Sequence, residues 1–138
     1  GQGKEEKYLR ALIEDKQLPR ISLRGYAPDP GLIYPQASVL AMTSTYEGWG
    51  LVLTEAQSYG VVPIAFACSD GVKEIIGTGE QYGRLVTPFD LDEYVTKLRE
   101  LCLREELRQS LAKACMRRVE EYFPERNIPR WQGIFDQL

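Results

Sequence analysis

Thr45-Tyr46-Glu47-Gly48-Trp49-Gly50-Leu51-Val52-Leu53-Thr54-Glu55-Ala56 is the stretch that decides how this chain folds. It has the composition of a glycine turn that opens a helix, and Glu47 and Glu55 bracket it with seven residues between them. The first N–H groups of a helix lack intrahelical partners and carry the positive end of its dipole, so such a place suits a phosphate. Carboxylates are poor phosphate ligands but good acceptors for hydroxyls. Two acids around an anion site suit a ligand with phosphates in the middle and polyols at both ends, which is the shape of a nucleotide sugar. Taken without their surroundings, the same acids have a plainer use: acidic groups near a helix start stabilise the dipole by about 0.3–1 kcal/mol.

Downstream of the turn, a helix from Leu51 to Tyr59 is stopped by Gly60. Val61-Val62-Pro63-Ile64-Ala65-Phe66 is a buried strand, with Pro63 near its beginning, where a missing N–H matters least. A short helix around Val72 to Ile76 and a last strand, Gly83 to Val86, follow. Leu91, Tyr94, Val95, Leu98 and Leu101 recur at helical spacing, and a second amphipathic helix covers Glu105 to Tyr122. Beyond Pro124 a final helix carries Trp131, Ile134 and Phe135, of which Trp131 and Phe135 are expected as core anchors.

Upstream, Ser38 to Met42 is a buried strand, Leu32 to Gln36 a short helix, and Arg24 to Gly31 a loop marked by its proline and glycine content. Ile21-Ser22-Leu23 is expected as a strand, and Lys4 to Leu18 as a helix that stops at Pro19. Short buried strands alternating with helices predict an α/β fold, a Rossmann-like doubly wound parallel sheet with helices on both faces.

With 138 residues and 43% hydrophobic content, the chain has the size of one domain. Its formal charge of -3 gives no electrostatic case for nucleic-acid binding. There is no histidine, which excludes imidazole metal sites and Ser-His or Cys-His nucleophile systems within the chain. Cys68, Cys102 and Cys115 are odd in number and form no Cys-x-x-Cys pair, so they are expected as reduced thiols packed as small core residues in a cytoplasmic protein. No apolar run approaches the roughly 20 residues that span a bilayer.

Five motifs stand in register: Ser44-x-x-Glu47-Gly48-Trp49-Gly50-Leu51, Glu55-Ala56, Gly60-Val61-Val62-Pro63-Ile64, Glu74-Ile75-Ile76 and Gly83-Arg84-Leu85-Val86-x-Pro88. In order and spacing they resemble the carboxy-terminal donor-binding domain of retaining GT-B glycosyltransferases, over nearly the whole chain. The resemblance implies that Glu47 lies against the donor sugar and is the residue with a catalytic role, while Glu55 holds the ribose. Backbone N–H groups around Gly48, Trp49, Gly50 and Leu51 would face the sugar and diphosphate, Thr54 would add a hydroxyl, and Arg24, Gly25 and Tyr26 stand where relatives cradle the base. The Arg24 alternative is a solvated surface charge. Ser69 to Glu74 matches the loop that approaches the donor, which makes Glu74 a candidate ligand; its alternative is a capped helix with Ser69 or Asp70 as N-cap.

The resemblance further implies a nucleotide diphosphate-sugar as substrate, transfer with retention, no metal and no separate cofactor. The acceptor, whether sugar, lipid or glycan, is not specified. Residues 1–138 are expected to be a partial nucleotide-sugar-binding domain. The family places two strands, a basic phosphate site and an amino-terminal domain ahead of it, so the segment is expected to be inactive alone. Its open sheet edges invite pairing with another chain. Gly1-Gln2-Gly3 either ends the domain's second strand or is left over from cloning. Peripheral attachment at the inner membrane face is compatible with this picture. The competing classes are an epimerase or phosphorylase of the same fold and a non-catalytic binding or signalling domain.

Overall fold

The computed structural model describes residues 3–137; the question of Gly1 and Gln2 as a strand end lies outside them. The chain divides into two compact units, residues up to Ile33 and residues from Tyr34 onward.

In the first unit, helix α1 (Glu6–Asp15) carries an Arg10–Glu6 ion pair at 2.6 Å on its exposed side. It ends two residues after Asp15 at Gln17, whose φ is 50°. There the Leu18 N–H reaches the Ile13 carbonyl at 3.0 Å and the Gln17 N–H reaches that of Glu14 at 3.1 Å. These bonds satisfy the last carbonyls of the helix, so it terminates before Pro19 comes into play. Ile21–Leu23 does not form the expected strand: residues 21–27 run without ladder pairing. The apolar stretch has the propensity, but a strand exists only where a neighbour completes its hydrogen bonds. In place of one short helix there are two separate 3-10 turns, Pro30–Leu32 in this unit and Tyr34–Gln36 in the next. Asp29 caps the first through the Gly31 N–H at 2.9 Å.

The second unit is built on a three-stranded parallel sheet of order β1-β2-β3, formed by β1 (Val39–Met42), β2 (Val62–Phe66) and β3 (Arg84–Val86). Register pairs Val39 with Val62 and Ile64 with Arg84. Each parallel step needs a crossover. Helix α2 (Leu51–Ser58) supplies the first and α3 (Asp70–Ile76) the second, while α4 (Leu91–Leu103) and α5 (Glu105–Val119) follow β3.

β2 is buried along its whole length, because both faces are covered. On one face Val62, Ile64 and Phe66 pack with Val86 against Tyr94, Leu101 and Leu111 of α4 and α5. On the other, Ala65 and Met42 pack against Leu53 of α2 and Val72, Ile75 and Ile76 of α3. Full burial of one such aliphatic side chain contributes about 1.5–3 kcal/mol. The expected α/β sheet with helices on both faces is therefore present. β1 is less buried than its sequence predicts, with Ala41 exposed, because it lies at an edge of the sheet.

Of two groups of expected core residues, the α6 aromatics are not core and the cysteines are core only in part. In α6 (Pro124–Phe135), Trp131 and Phe135 are 61% and 65% exposed and stack on each other, 6.3 Å between ring centroids. Helical spacing makes an apolar stripe, but nothing among the described residues covers this one. Of the cysteines, all free, Cys115 is buried, Cys68 half-buried and Cys102 exposed. No helix among the described residues is long and apolar enough to cross a membrane.

Candidate functional site at the carboxyl ends of the strands

Parallel strands deliver their carboxyl ends to one rim, where ligands of open α/β sheets bind. Met42 of β1 runs into the glycine turn, Phe66 of β2 into the Ser69 loop and Val86 of β3 into Thr87-Pro88-Phe89.

The turn enters α2 at Gly50, whose φ of 90° puts it in the left-handed region that glycine adopts without a Cβ penalty. No side chain caps α2. Of its first-turn N–H groups, that of Leu53 donates to the Gly50 carbonyl at 2.9 Å, while those of Leu51 and Val52 have no carbonyl of the helix to bond to. Glu47 is half-buried, and no side chain among the described residues pairs with its carboxylate. Glu55 is exposed and receives a hydrogen bond from the Tyr34 hydroxyl at 3.1 Å. Burial, with the Glu55 carboxylate beside it, pushes the Tyr34 phenol up to about 12. The Tyr34 ring stacks on Tyr59 at 5.4 Å. Thr54 is turned to its own helix, its hydroxyl donating to the Leu51 carbonyl at 2.9 Å. Trp49 and Leu51 are exposed.

Three residues support the turn; two of them, Ser69 and Gly71, lie in the Ser69 to Glu74 stretch already matched to the donor loop, and Ser69 is the N-cap that its sequence offered. The Ser69 hydroxyl caps α3 by accepting from the Val72 N–H and donates to the Gly48 carbonyl, both at 3.3 Å. Gly71 lies so close that a Cβ there would stand 2.5 Å from the Gly48 carbonyl oxygen and 2.9 Å from the Trp49 Cα. Tyr122 receives the Trp49 ring edge-on at 5.5 Å. The sequence shows Ser69 as a helix cap but not its bond to Gly48, and no local signal relates Gly71 or Tyr122 to the turn.

Glu74, a candidate ligand from sequence, is engaged by protein: it accepts from Arg118 at 2.5 Å. The Arg118 guanidinium lies over the Tyr82 and Tyr122 rings, 5.3 and 5.1 Å from their centroids, and also pairs with Glu121. In the first unit, Arg24 and Gly25 line a cavity of about 630 Å³ with Glu6, Leu9 and Ser22, and Gly25 has a φ of 72°. Arg24 and Tyr26 are exposed.

Asp90-Leu91-Asp92 carries the Asp-x-Asp spelling associated with metal-dependent GT-A transferases. Here Asp90 is the N-cap of α4, accepting from the Glu93 N–H at 2.9 Å. Among the described residues no group of three or more His, Cys, Asp and Glu side chains is placed to hold a metal ion.

Residues 1–118 match the family described as Glycosyl transferases group 1. The chain is 35% identical over 103 residues to the amylovoran biosynthesis glycosyltransferase AmsD of Erwinia amylovora, covering 75% of this chain and 28% of AmsD. Its fold is similar to the crystal structure of TarM, with a TM-score of 0.86 and 26% identity over 98% of this chain and 27% of TarM. The pneumococcal O-GlcNAc transferase GtfA, solved in complex with UDP and GlcNAc, superposes with a TM-score of 0.83 and 27% identity over 99% of this chain and 28% of GtfA. The chain thus spans under a third of the length of each of these three proteins.

Proposed function

The chain belongs to the glycosyl transferases group 1 family, with the fold of a GT-B carboxy-terminal domain, and on that premise we propose that it is the donor-binding part of an enzyme that transfers a sugar from a nucleotide diphosphate-sugar. The uncapped start of α2, entered through left-handed Gly50 and bracketed by Glu47 and Glu55, is the observation that carries this reading. The diphosphate lies against the N–H groups at Gly48 to Leu51. The sugar hydroxyls donate to Glu47, which has no protein partner among the described residues. The ribose hydroxyls donate to Glu55, already oriented by Tyr34.

In the reaction the bond between the anomeric carbon and the diphosphate oxygen breaks and the diphosphate leaves with the electron pair. The acceptor hydroxyl oxygen bonds to the anomeric carbon on the same face, with net retention, and its proton passes to the departing diphosphate oxygen. Fixed N–H dipoles stabilise the charge that grows on the leaving oxygen. Three unbridged cysteines suit a reducing compartment and a cytoplasmic enzyme. The remainder of the enzyme supplies the acceptor side.

Titration of UDP, GDP and ADP into the full-length protein, with Glu47→Gln and Glu55→Gln beside it, tests the reading. One diphosphate binds in preference to the others, Glu55→Gln weakens it, and Glu47→Gln lowers kcat with the corresponding sugar donor. Equal indifference of all three proteins to every nucleotide overturns the proposal. Retention is checked by NMR of the product's anomeric proton.

A further inference from the structure

Around Arg118, one guanidinium touches three different parts of the second unit. It bonds to Glu74 on α3, both at the carboxylate (2.5 Å) and at the backbone carbonyl (3.3 Å). It pairs with Glu121 and lies over the rings of both Tyr82 and Tyr122. A planar cation of this kind satisfies carboxylates at its edge and aromatic faces above and below at once, which an ammonium does not. The Arg118 side chain is 15% exposed, whereas its partner carboxylates are open to water, Glu74 at 59% and Glu121 at 46%.

Tyr122 passes this restraint on. One neighbour of its ring is Arg118, another is the indole of Trp49 in the glycine turn. α3 is likewise fixed at two points: Ser69 and Gly71 at its start lie against Gly48 and Trp49, and Glu74 in its body is held by Arg118. The turn is therefore pressed from two directions, by the start of α3 and by the Tyr122 ring, and both supports converge on the same guanidinium.

We propose that Arg118, through Tyr122 and Glu74, is a positioning residue that sets the conformation of the Gly48–Trp49 peptide over the donor site. Glu74 accordingly serves as the acid that anchors Arg118, in place of the ligand role expected of it. The geometric claim is independent of any ligand; the claim that it tunes donor binding rests on the function proposed above.

Fluorine NMR of the full-length protein labelled with 5-fluorotryptophan tests both parts, the Trp49 resonance being assigned by its loss in Trp49→Phe. Arg118→Ala and Tyr122→Leu shift or broaden that resonance, and Arg118→Lys, which keeps charge but not the planar stack, does so to a smaller extent. Tyr122→Phe, which keeps the ring, leaves it in place. Affinity for whichever of UDP, GDP and ADP the wild type prefers falls about tenfold in Arg118→Ala and is unchanged in Tyr122→Phe. A folded Arg118→Ala whose Trp49 signal is that of the wild type overturns the proposal; if Arg118→Ala does not fold, an unshifted signal in Arg118→Lys together with Tyr122→Leu overturns it. Wild-type protein whose Trp49 resonance ignores UDP, GDP and ADP removes the donor-site reading, while the response to Arg118 substitutions still decides the brace.

Discussion

The Tyr34 hydroxyl donates to the Glu55 carboxylate at 3.1 Å, from a 3-10 turn 21 positions earlier in the chain. One of the two acids that bracket the turn is thus aimed by a residue outside its own helix, and that residue is itself fixed by stacking on Tyr59.

Tyr34→Phe keeps the stack and removes the hydrogen bond, at a cost of about 0.5–1.5 kcal/mol near neutral pH. The phenol is raised from 10.0 to about 12 in the fold, so the neutral form is the stabilising one. Its contribution is complete below the unfolded value and disappears as pH rises through the folded one. Urea melts at increasing alkaline pH should show the gap between wild type and Tyr34→Phe closing; a widening gap contradicts the assignment.

Gly71→Ala and Gly48→Ala separate packing from ligand contact. A methyl at 71 meets backbone at 2.5 Å, whereas one at 48 meets nothing within 4 Å. Gly71→Ala should lose about 1–3 kcal/mol of stability in denaturant melts. Gly48→Ala should melt within about 0.5 kcal/mol of wild type, and any loss of affinity there for the nucleoside diphosphate that the wild type prefers tests the proposed donor contact.

Leu101 is fully buried between α4 and the sheet, while Leu103, two residues on, is exposed. Leu101→Ala should cost about 2–5 kcal/mol in chemical denaturation. Leu103→Ala should change stability by less than about 0.5 kcal/mol.

Glu93 hydrogen-bonds to Lys97 and accepts from the Thr87 N–H at 2.8 Å, and these contacts pull its carboxyl down from 4.5 to about 2. The ionised form is the stabilising one, so the benefit is present above 4.5 and fades as pH falls toward 2. Thermal melts of wild type and Glu93→Gln should converge over that acid range and stay apart above it.

Sequence made the sheet and its helices legible because their signals are local or periodic. The buried run at Val62, the stop at Gly60 and the repeat from Leu91 to Leu101 each carry their own physical reason and form as expected, while the run at Val39 forms its strand but is only partly buried. Ile21–Leu23 and the Trp131–Phe135 stripe were misjudged for one shared reason: pattern records what a segment would bury or pair, and the outcome depends on whether something lies opposite it. The turn and its acids were legible as a motif. Their supports were not, since Tyr34, Ser69, Arg118 and Tyr122 reach them across 21 or more positions of chain, beyond any periodicity.

Parallel pairing of all three strands returns the backbone to a common rim after Met42, Phe66 and Val86. The three peptides that follow can therefore change in sequence while the apolar slab beneath keeps its shape.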